Sequence, residues 1–337
     1  MSSNSNAPPA ISIRGLTKTF GPKVAVANLD LDVPTGSLCG FIGPNGAGKT
    51  TTIRMIMSII FPDSGELSVL GKASAVESKD RIGYLPEERG VYRKMRVLPF
   101  LVYMARLKGI DAGPARHKSL EWLGRVGLGD VAKKKCEELS KGMQQKVQFI
   151  SAVIHEPDLL ILDEVFSGLD PENRILMRGL IEEQHKANRT IVFSTHSMYE
   201  AEQLCDRVFM ICEGVKVLDE TLQNIRSRFD PKTIIVEPFN HEGSPDVAAA
   251  LNLPGVARVE KDRGAYVVGV EDPARAPTIM AEIAARVPVR RIELKRVNLE
   301  DVFMDLVRSR GNREIRRDDL RGAAEQAGGV ESEVARV

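Results

Sequence analysis

The segment that most constrains the fold is Gly43–Thr50, with the sequence GPNGAGKT. It matches the pattern GxxxxGK[ST] at every fixed position. An apolar run, Ser37–Ile42, precedes it, and a helical pattern from Lys49 to Ile60 follows. Glycines allow successive backbone N–H groups to face phosphate oxygens, and the N-terminus of the following helix adds a positive dipole. The sequence therefore predicts a phosphate-binding loop between a buried strand and a helix.

The residue types of this loop predict which atoms contact a nucleotide. We expect the Lys49 ammonium to reach the β- and γ-phosphates and the Thr50 hydroxyl to bind Mg²⁺. The backbone and side chains of the rest of the loop supply the other expected phosphate contacts: Gly43, Asn45, Gly46, Gly48 and Thr51.

A second apolar run, Leu159–Leu162, ends in two acids, Asp163 and Glu164. A buried parallel strand that delivers a carboxylate at its C-terminal end is the usual way to hold the metal of a phosphate-loop enzyme. We expect Asp163 to bind Mg²⁺ and Glu164 to orient the water that attacks the γ-phosphate. The alternative is a core strand that ends in a solvated acidic turn.

Strand and helix patterns alternate over about 200 residues, which predicts an α/β fold with a largely parallel core sheet. The pattern changes near Asp230, and the order β-α-β-β-α-β that follows fits a small α+β ferredoxin-like domain. The predicted divisions are a disordered N-terminus at 1–10, a nucleotide-binding domain at 11–228 with a helical subdomain at about 90–155, an accessory domain at 232–308 and a disordered tail at 309–337.

Composition narrows the function classes. The 47 Lys and Arg residues nearly balance the 46 Asp and Glu residues, which argues against a strongly basic nucleic-acid binder. The four cysteines lack metal or disulfide spacing, as expected in a reducing compartment. No apolar run approaches the roughly 18–20 residues needed to cross a bilayer, and the first ten residues lack a signal-peptide pattern. We therefore expect a cytoplasmic protein that does not bind nucleic acid.

Further motifs indicate the family. Leu139–Gln145, LSKGMQQ, resembles the LSGGQ signature of ATP-binding cassette (ABC) ATPases. Ser167–Asp170 looks like the D-loop of that family, His196 stands at the switch histidine and Phe20 at the aromatic that stacks on adenine. The chain thus resembles the ATP-binding subunit of an ABC transporter. The resemblance implies a P-loop NTPase fold with a helical signature subdomain, and ATP hydrolysis with Mg²⁺.

The resemblance also implies partners. In the family, two such domains meet head to tail, so that the signature of one contacts the ATP of the other. Ser140, Gly142 and Gln144 are then the expected contacts across a homodimer or a closely related heterodimer, and His196 acts with Glu164 on the γ-phosphate. A separate membrane-spanning permease subunit is expected, with this chain peripheral on the cytoplasmic face of the cell membrane. Taken singly, Ser140 could be only a helix cap, and Phe20 or His196 only structural.

Two departures from the family pattern narrow the branch. Lys141 and Met143 replace the usual residues in the signature, and Glu87 stands where the Q-loop glutamine is expected. A carboxylate can still contact Mg²⁺ or its water, so we expect Glu87 to join the metal site. Asn298–Phe303 resembles the (S/N)LEDVF motif of ABC-2 type exporters of bacteria, a sodium- and drug-exporter-like branch with a C-terminal accessory domain.

Two other function classes stay open at this point. One is a soluble ABC ATPase that acts on ribosomes or DNA, and the other is a nucleotide-dependent switch without productive hydrolysis. Only about ninety residues separate the phosphate loop from the signature, too few for the long coiled coil of the DNA-repair type. The presence of Glu164 and His196 argues against a pure switch. The transported substrate cannot be predicted from this chain.

Overall fold

The computed structural model describes residues 8–88, 90–228, 232–239, 245–295 and 298–308. These residues form two compact units. The larger one contains the described residues up to Leu222 together with residues 303–308, and the smaller one runs from Gln223 to Val302. The elements of the larger unit, in chain order, are β1 (Ile11–Phe20), β2 (Lys23–Val33), β3 (Leu38–Ile42), α1 (Lys49–Ile56), β4 (Ser64–Val69), β5 (Ile82–Leu85), α2 (Val97–Leu107), α3 (Ala112–Arg125), α4 (Lys141–Val153), β6 (Leu159–Asp163), α5 (Pro171–Lys186), β7 (Thr190–Thr195), α6 (Met198–Leu204), β8 (Arg207–Cys212) and β9 (Val215–Thr221).

A six-stranded sheet forms the centre of the larger unit, in the order β5-β6-β7-β3-β8-β9. All neighbouring strands are parallel except β9, which runs antiparallel to β8 at one edge. Every residue of β3, β6 and β7 is buried, as expected for strands that helices cover on both faces. The predicted α/β fold with a largely parallel core sheet is confirmed.

A second, antiparallel sheet has the order β2-β1-β4. The segment from α1 to β4 differs from the sequence prediction. The helix predicted to reach Ile60 ends at Ile56, because Ser58 adopts a left-handed backbone conformation with φ of 55°. A strand, β4, then begins at Ser64. The preceding Asp63 fixes this strand beside β1, since its carboxylate accepts the backbone N–H and the hydroxyl of Thr19, both at 2.7 Å.

Helices α2, α3 and α4 account for the helix-rich middle of the chain. Ser140 caps α4, because its hydroxyl accepts the Met143 N–H at 3.3 Å. The side chains that α4 buries include Val147, Phe149 and Ile150. Among the helices in the described ranges, none combines the length and the apolar character that crossing a bilayer requires.

The smaller unit consists of β10 (Thr233–Pro238), α8 (Pro245–Ala250), β11 (Val256–Asp262), β12 (Ala265–Val270), α9 (Ala276–Arg286) and β13 (Val289–Leu294), after the short α7 (Leu222–Arg228). Its sheet has the order β11-β12-β10-β13, with every neighbouring pair antiparallel. This is the ferredoxin-like arrangement that the order of elements predicted.

The ends of the predicted domains lie partly outside the described residues. Residues 1–7 and 309–337, which the sequence predicts to be disordered, lie outside the described residues. Ala10, which the sequence places in the disordered N-terminus, is buried instead, and its N–H donates to the Val33 carbonyl at 2.8 Å. Residues 299–308 are helical, and Asn298 caps them by accepting the Asp301 N–H at 2.7 Å.

Candidate nucleotide-binding site

Strand order brings the predicted site loops to one edge of the core sheet. Strands β5, β6, β7 and β3 are consecutive neighbours and parallel, so the loops that follow them leave from the same side. Asp163 pairs with Ser194 in the register of β6 and β7, and Ile42 pairs with Thr195 in that of β3 and β7. The phosphate loop, the acidic pair and His196 therefore meet at this edge.

The phosphate loop is shaped by its glycines and closed by its lysine. Gly48 has φ of 108°, and a Cβ atom there would lie 2.5 Å from the Ala25 carbonyl oxygen. The buried Lys49 ammonium donates to the carbonyls of Gly43 at 2.7 Å and Pro44 at 3.2 Å. No side chain caps the N-terminus of α1. The backbone N–H groups of its first turn thus lack a side-chain acceptor, which suits an anion.

Of the other predicted contacts in this segment, Asn45 and Gly46 are exposed and Gly43 is buried. Thr51, in the first turn of α1, is half-buried. The loop therefore presents exposed residues at its tip while its two ends are anchored in the unit.

Asp163 has the properties of a metal-binding carboxylate. It is fully buried, and one oxygen, Oδ1, accepts the hydroxyls of Ser194 and, at 3.4 Å, Thr50. Its other oxygen, Oδ2, is buried and has no hydrogen-bond partner among the described residues. Burial raises the pKa of this carboxyl group, and the negative charges of Glu87 and Glu164 add to the effect. A divalent cation, or the water bound to one, fits the unpaired oxygen and offsets the crowded negative charge.

Glu164 lies between a lysine and a histidine. Its Oε1 is 3.6 Å from the Lys49 ammonium, and its Oε2 is 2.9 Å from Nδ1 of His196. The backbone of Glu164 is left-handed, with φ of 50°, and its N–H donates to the Ser194 hydroxyl at 3.1 Å. A positive φ is unfavourable for a residue other than glycine, and such strain concentrates at functional sites. The surrounding hydrogen bonds hold it in place.

Glu87 follows β5 and is exposed. Its charge contributes to the raised pKa of Asp163, so it lies within electrostatic reach of that carboxylate. The next residue, Glu88, forms an ion pair with Arg54 of α1 at 3.5 Å. The burial of Tyr84, in β5, and the nearby charge of Asp163 raise the pKa of its phenol to about 12. The segment after β5 therefore adds a second pair of acids, Glu87 and Glu88, at this edge.

The signature residues stand apart from this group. Ser140 is exposed, and the Gln144 side-chain amide donates to the carbonyls of Cys136 and Leu139, both at 3.1 Å. Next to Gly142, the amide of Asn173 leaves little room for a side chain. Within the described residues, no hydrogen bond or ion pair joins Ser140, Gly142 or Gln144 to Lys49 or Glu164. Gln144 thus holds the loop that presents Ser140.

Phe20 lies at the end of β1 and exposes about half of its surface, with a relative accessibility of 52%. The Lys18 ammonium lies 5.5 Å from the centre of its ring. An exposed aromatic ring next to a cation suits a nucleotide, because the base can stack on the ring while the cation attracts the phosphates.

Sequence reasoning missed one functional residue, Ser194. Its hydroxyl donates to Asp163 and accepts the Glu164 N–H, so it fixes both acids at once. The signal that could have found it is its place at the end of β7, one strand away from the acidic pair.

Comparisons with known proteins agree with this geometry. A family model described as ABC transporter matches residues 26–167, and a model described as ATP-binding protein DrrA1-3-like, C-terminal domain matches residues 221–307. The uncharacterized ABC transporter ATP-binding protein YhaQ of Bacillus subtilis (strain 168) is 38% identical over 297 residues, which are 88% of this chain and 98% of that protein. The chain belongs to the ABC transporter ATP-binding proteins. It is an ATPase of this family, which binds ATP and hydrolyses it to drive transport.

Other relatives carry more specific names. The daunorubicin/doxorubicin resistance ATP-binding protein DrrA of Streptomyces peucetius is 30% identical over 303 residues, 88% of this chain and 92% of that protein. The Nod factor export ATP-binding protein I of Burkholderia orbicola (strain AU 1054) is 32% identical over 304 residues, 88% of this chain and 96% of that protein. A solved structure described as the ATP-binding subunit of an ABC transporter covers 65% of this chain and 93% of its own, with a TM-score of 0.61 and 28% identity.

Proposed function

We propose that this chain is the ATP-hydrolysing subunit of an exporter whose membrane-spanning part is a separate permease chain. The observation that carries the proposal is the arrangement of Glu164, whose carboxylate lies between Lys49 and His196 at the edge of the core sheet. Relatives named for drug resistance and for Nod factor export support the direction of transport.

The site residues divide the chemistry among them. The loop from Gly43 to Gly48 and Lys49 bind the phosphates, while Phe20 stacks on the base. Asp163, Thr50 and Glu87 hold Mg²⁺, which, when bound, neutralises charge on the phosphate oxygens.

The hydrolytic step uses the acid that follows Asp163. Glu164 orients a water and accepts its proton as the water oxygen bonds to the γ-phosphorus. The bond from that phosphorus to the bridging oxygen breaks, which leaves ADP and inorganic phosphate. The hydrogen bond from His196 keeps the Glu164 carboxylate aimed at the water.

We propose that a second copy, or a closely related ATP-binding chain, completes each site. Ser140 is exposed at the N-terminus of α4, and Gly142 follows it in the first turn. Both can therefore meet the γ-phosphate held by a partner, where the positive end of the helix dipole adds attraction. ATP binding then favours closure of the pair, and hydrolysis favours opening.

The permease contact is assigned to an aromatic cluster that follows the acids Glu87 and Glu88 in the chain. Tyr92 and Tyr103 are about half exposed, their ring centres are 6.0 Å apart, and Tyr92 also packs edge-on against Phe100. Tyr103 lies on α2 and Tyr92 in the loop before it. Exposed aromatic side chains are typical of protein interfaces. Through this surface the chain sits on the cytoplasmic face of the membrane.

The Glu164→Gln variant tests the catalytic assignment. We expect it to bind ATP normally and to lose turnover by about 10²–10⁴-fold, the range for a positioned general base. The control is Glu183→Gln, which removes a largely exposed acid on α5 and should hydrolyse ATP at the normal rate. Near-normal turnover of Glu164→Gln in the presence of the membrane partner contradicts the assignment.

Isolation of the tagged chain from native membranes tests the partner. Copurification of one integral membrane protein, retained after high-salt washing, supports the exporter. Copurification with ribosomes or DNA instead favours the soluble alternative.

A further inference from the structure

Helix α4 carries two buried glutamines that the chemistry above does not use. Gln145 and Gln148 are three residues apart, so they lie on one face of the helix. The Gln145 amide donates to the Val165 carbonyl at 3.2 Å, and the Gln148 amide donates to the Glu88 carbonyl at 3.3 Å. One helix thus binds the backbone immediately after each of the acids Glu164 and Glu87.

The Gln148 amide is held in an unfavourable place. The side chain is 3% exposed, and its Oε1 is buried without a hydrogen-bond partner among the described residues. A methionine would fill the same volume without burying an unpaired oxygen. Its amide nitrogen donates to the Glu88 carbonyl, and Gly90 lies close to the same nitrogen.

The position of α4 gives this contact a consequence. The helix begins at its cap Ser140, in the signature, and it is continuous to Val153. The cap of the signature and the side chain that binds the Glu88 carbonyl therefore belong to one continuous helix. Glu88 in turn is adjacent to Glu87, whose charge acts on Asp163.

We propose that Gln148 is a positioning residue that holds Glu87 at the metal site by binding the Glu88 carbonyl. The inference rests on the proposed function, because it assumes that Glu87 contacts Mg²⁺. It adds a role for a buried residue of α4 that is not among the proposed nucleotide and metal contacts.

The first experiment measures metal binding without turnover. Mn²⁺ is titrated, as a paramagnetic substitute for Mg²⁺, into the full-length protein with ADP bound, and free Mn²⁺ is followed by electron paramagnetic resonance. We expect Gln148→Met to weaken Mn²⁺ binding about three- to tenfold, the effect of losing one hydrogen bond. Gln148→Glu should weaken it at least as much, because a carboxylate cannot donate to the Glu88 carbonyl. Metal-free ADP affinity should not change.

The matched control is Gln184→Met. Gln184, on α5, is also 3% exposed and also has a buried, unpaired Oε1. Removal of its amide should leave Mn²⁺ binding unchanged. Equal weakening in Gln184→Met and Gln148→Met would mean that any buried amide matters in the same way, which overturns the proposal.

A double-mutant cycle separates positioning from general structure. If Gln148 acts through Glu87, then Gln148→Met adds no further loss of Mn²⁺ affinity in the Glu87→Ala background. The inference is overturned if the losses of Mn²⁺ affinity are additive, or if Gln148→Met and Gln148→Glu leave the affinity unchanged. In either case, Mg²⁺-dependent ATP hydrolysis by the unmodified chain still supports the proposed function. Absence of that hydrolysis, with the membrane partner present, counts against the proposed function itself.

Discussion

Replacement of Gly48 by alanine should cost far more than the same change at Gly46, although both glycines belong to one loop. Both have positive φ, 108° at Gly48 and 80° at Gly46, so alanine at either is strained by about 1–3 kcal/mol. At Gly48 the new Cβ would also lie 2.5 Å from the carbonyl oxygen of Ala25. At Gly46, by contrast, no heavy atom of the described residues lies within 4 Å, apart from the two chain neighbours. Such overpacking should destabilise the fold by about 1–3 kcal/mol more.

The expected loss of stability is therefore about 2–6 kcal/mol for Gly48→Ala and about 1–3 kcal/mol for Gly46→Ala. The larger figure approaches the whole stability of a typical domain, about 5–15 kcal/mol. The assay is urea unfolding followed by tryptophan fluorescence. The single tryptophan, Trp122, lies in α3 of the larger unit, so its signal reports on the unit that contains the loop.

With a urea dependence of about 3 kcal/mol per molar, the unfolding midpoint should fall by about 0.7–2 M in Gly48→Ala and by about 0.3–1 M in Gly46→Ala. The slope of the transition should not change. Equal midpoints in the two variants would refute the reasoning, because they would show that the approach to Ala25 adds nothing to the backbone strain.

Three further predictions follow from the same contacts. Phe20→Ala should weaken ATP binding about 5- to 150-fold, which corresponds to the stacking energy of one base on an aromatic ring. Phe61→Ala, which removes a more exposed phenylalanine, should leave ATP binding unchanged. Titration with a fluorescent ATP analogue measures both affinities. Arg178→Met should lower unfolding free energy by about 3 kcal/mol in the tryptophan assay, because it leaves the buried Glu200 carboxylate without the arginine that lies 2.9 Å away. Burial lowers the pKa of His155 from 6.5 to about 4, so between these pH values the unfolded chain binds a proton that the folded chain does not. The free energy of unfolding should therefore decrease as the pH is lowered through this range, by up to about 1.4 kcal/mol per pH unit, and His155→Gln should flatten that dependence.

The parts of the site that could be predicted are those at the ends of strands. Lys49, Asp163 and His196 each follow a short apolar run, and parallel neighbours send their C-terminal ends to one edge. Local sequence therefore carried the information, because an apolar run of strand length with a polar end has few other structures available. The same reasoning predicted the ferredoxin-like order of the smaller unit.

The parts that could not be predicted depend on contacts between distant segments. The end of α1 at Ile56 depends on the backbone of Ser58, and the start of β4 depends on the bonds that Asp63 makes to β1. The helical pattern of α4 indicates which residues share a face. It does not indicate that Gln148 meets the Glu88 carbonyl, because that contact depends on how the helix packs beside β5.

The backbone of Glu164 explains how two successive acids can serve one nucleotide. Successive side chains of a strand point to opposite faces, so Asp163 and Glu164 in continuous β structure would face apart. The strand instead ends at Asp163, and a φ of 50° at Glu164 turns the chain there. As a result, Asp163 reaches the hydroxyl of Thr50 while Glu164 reaches the ammonium of Lys49, its neighbour in the phosphate loop. The strain at Glu164 is thus what brings the metal-binding acid and the water-orienting acid to the same phosphate loop.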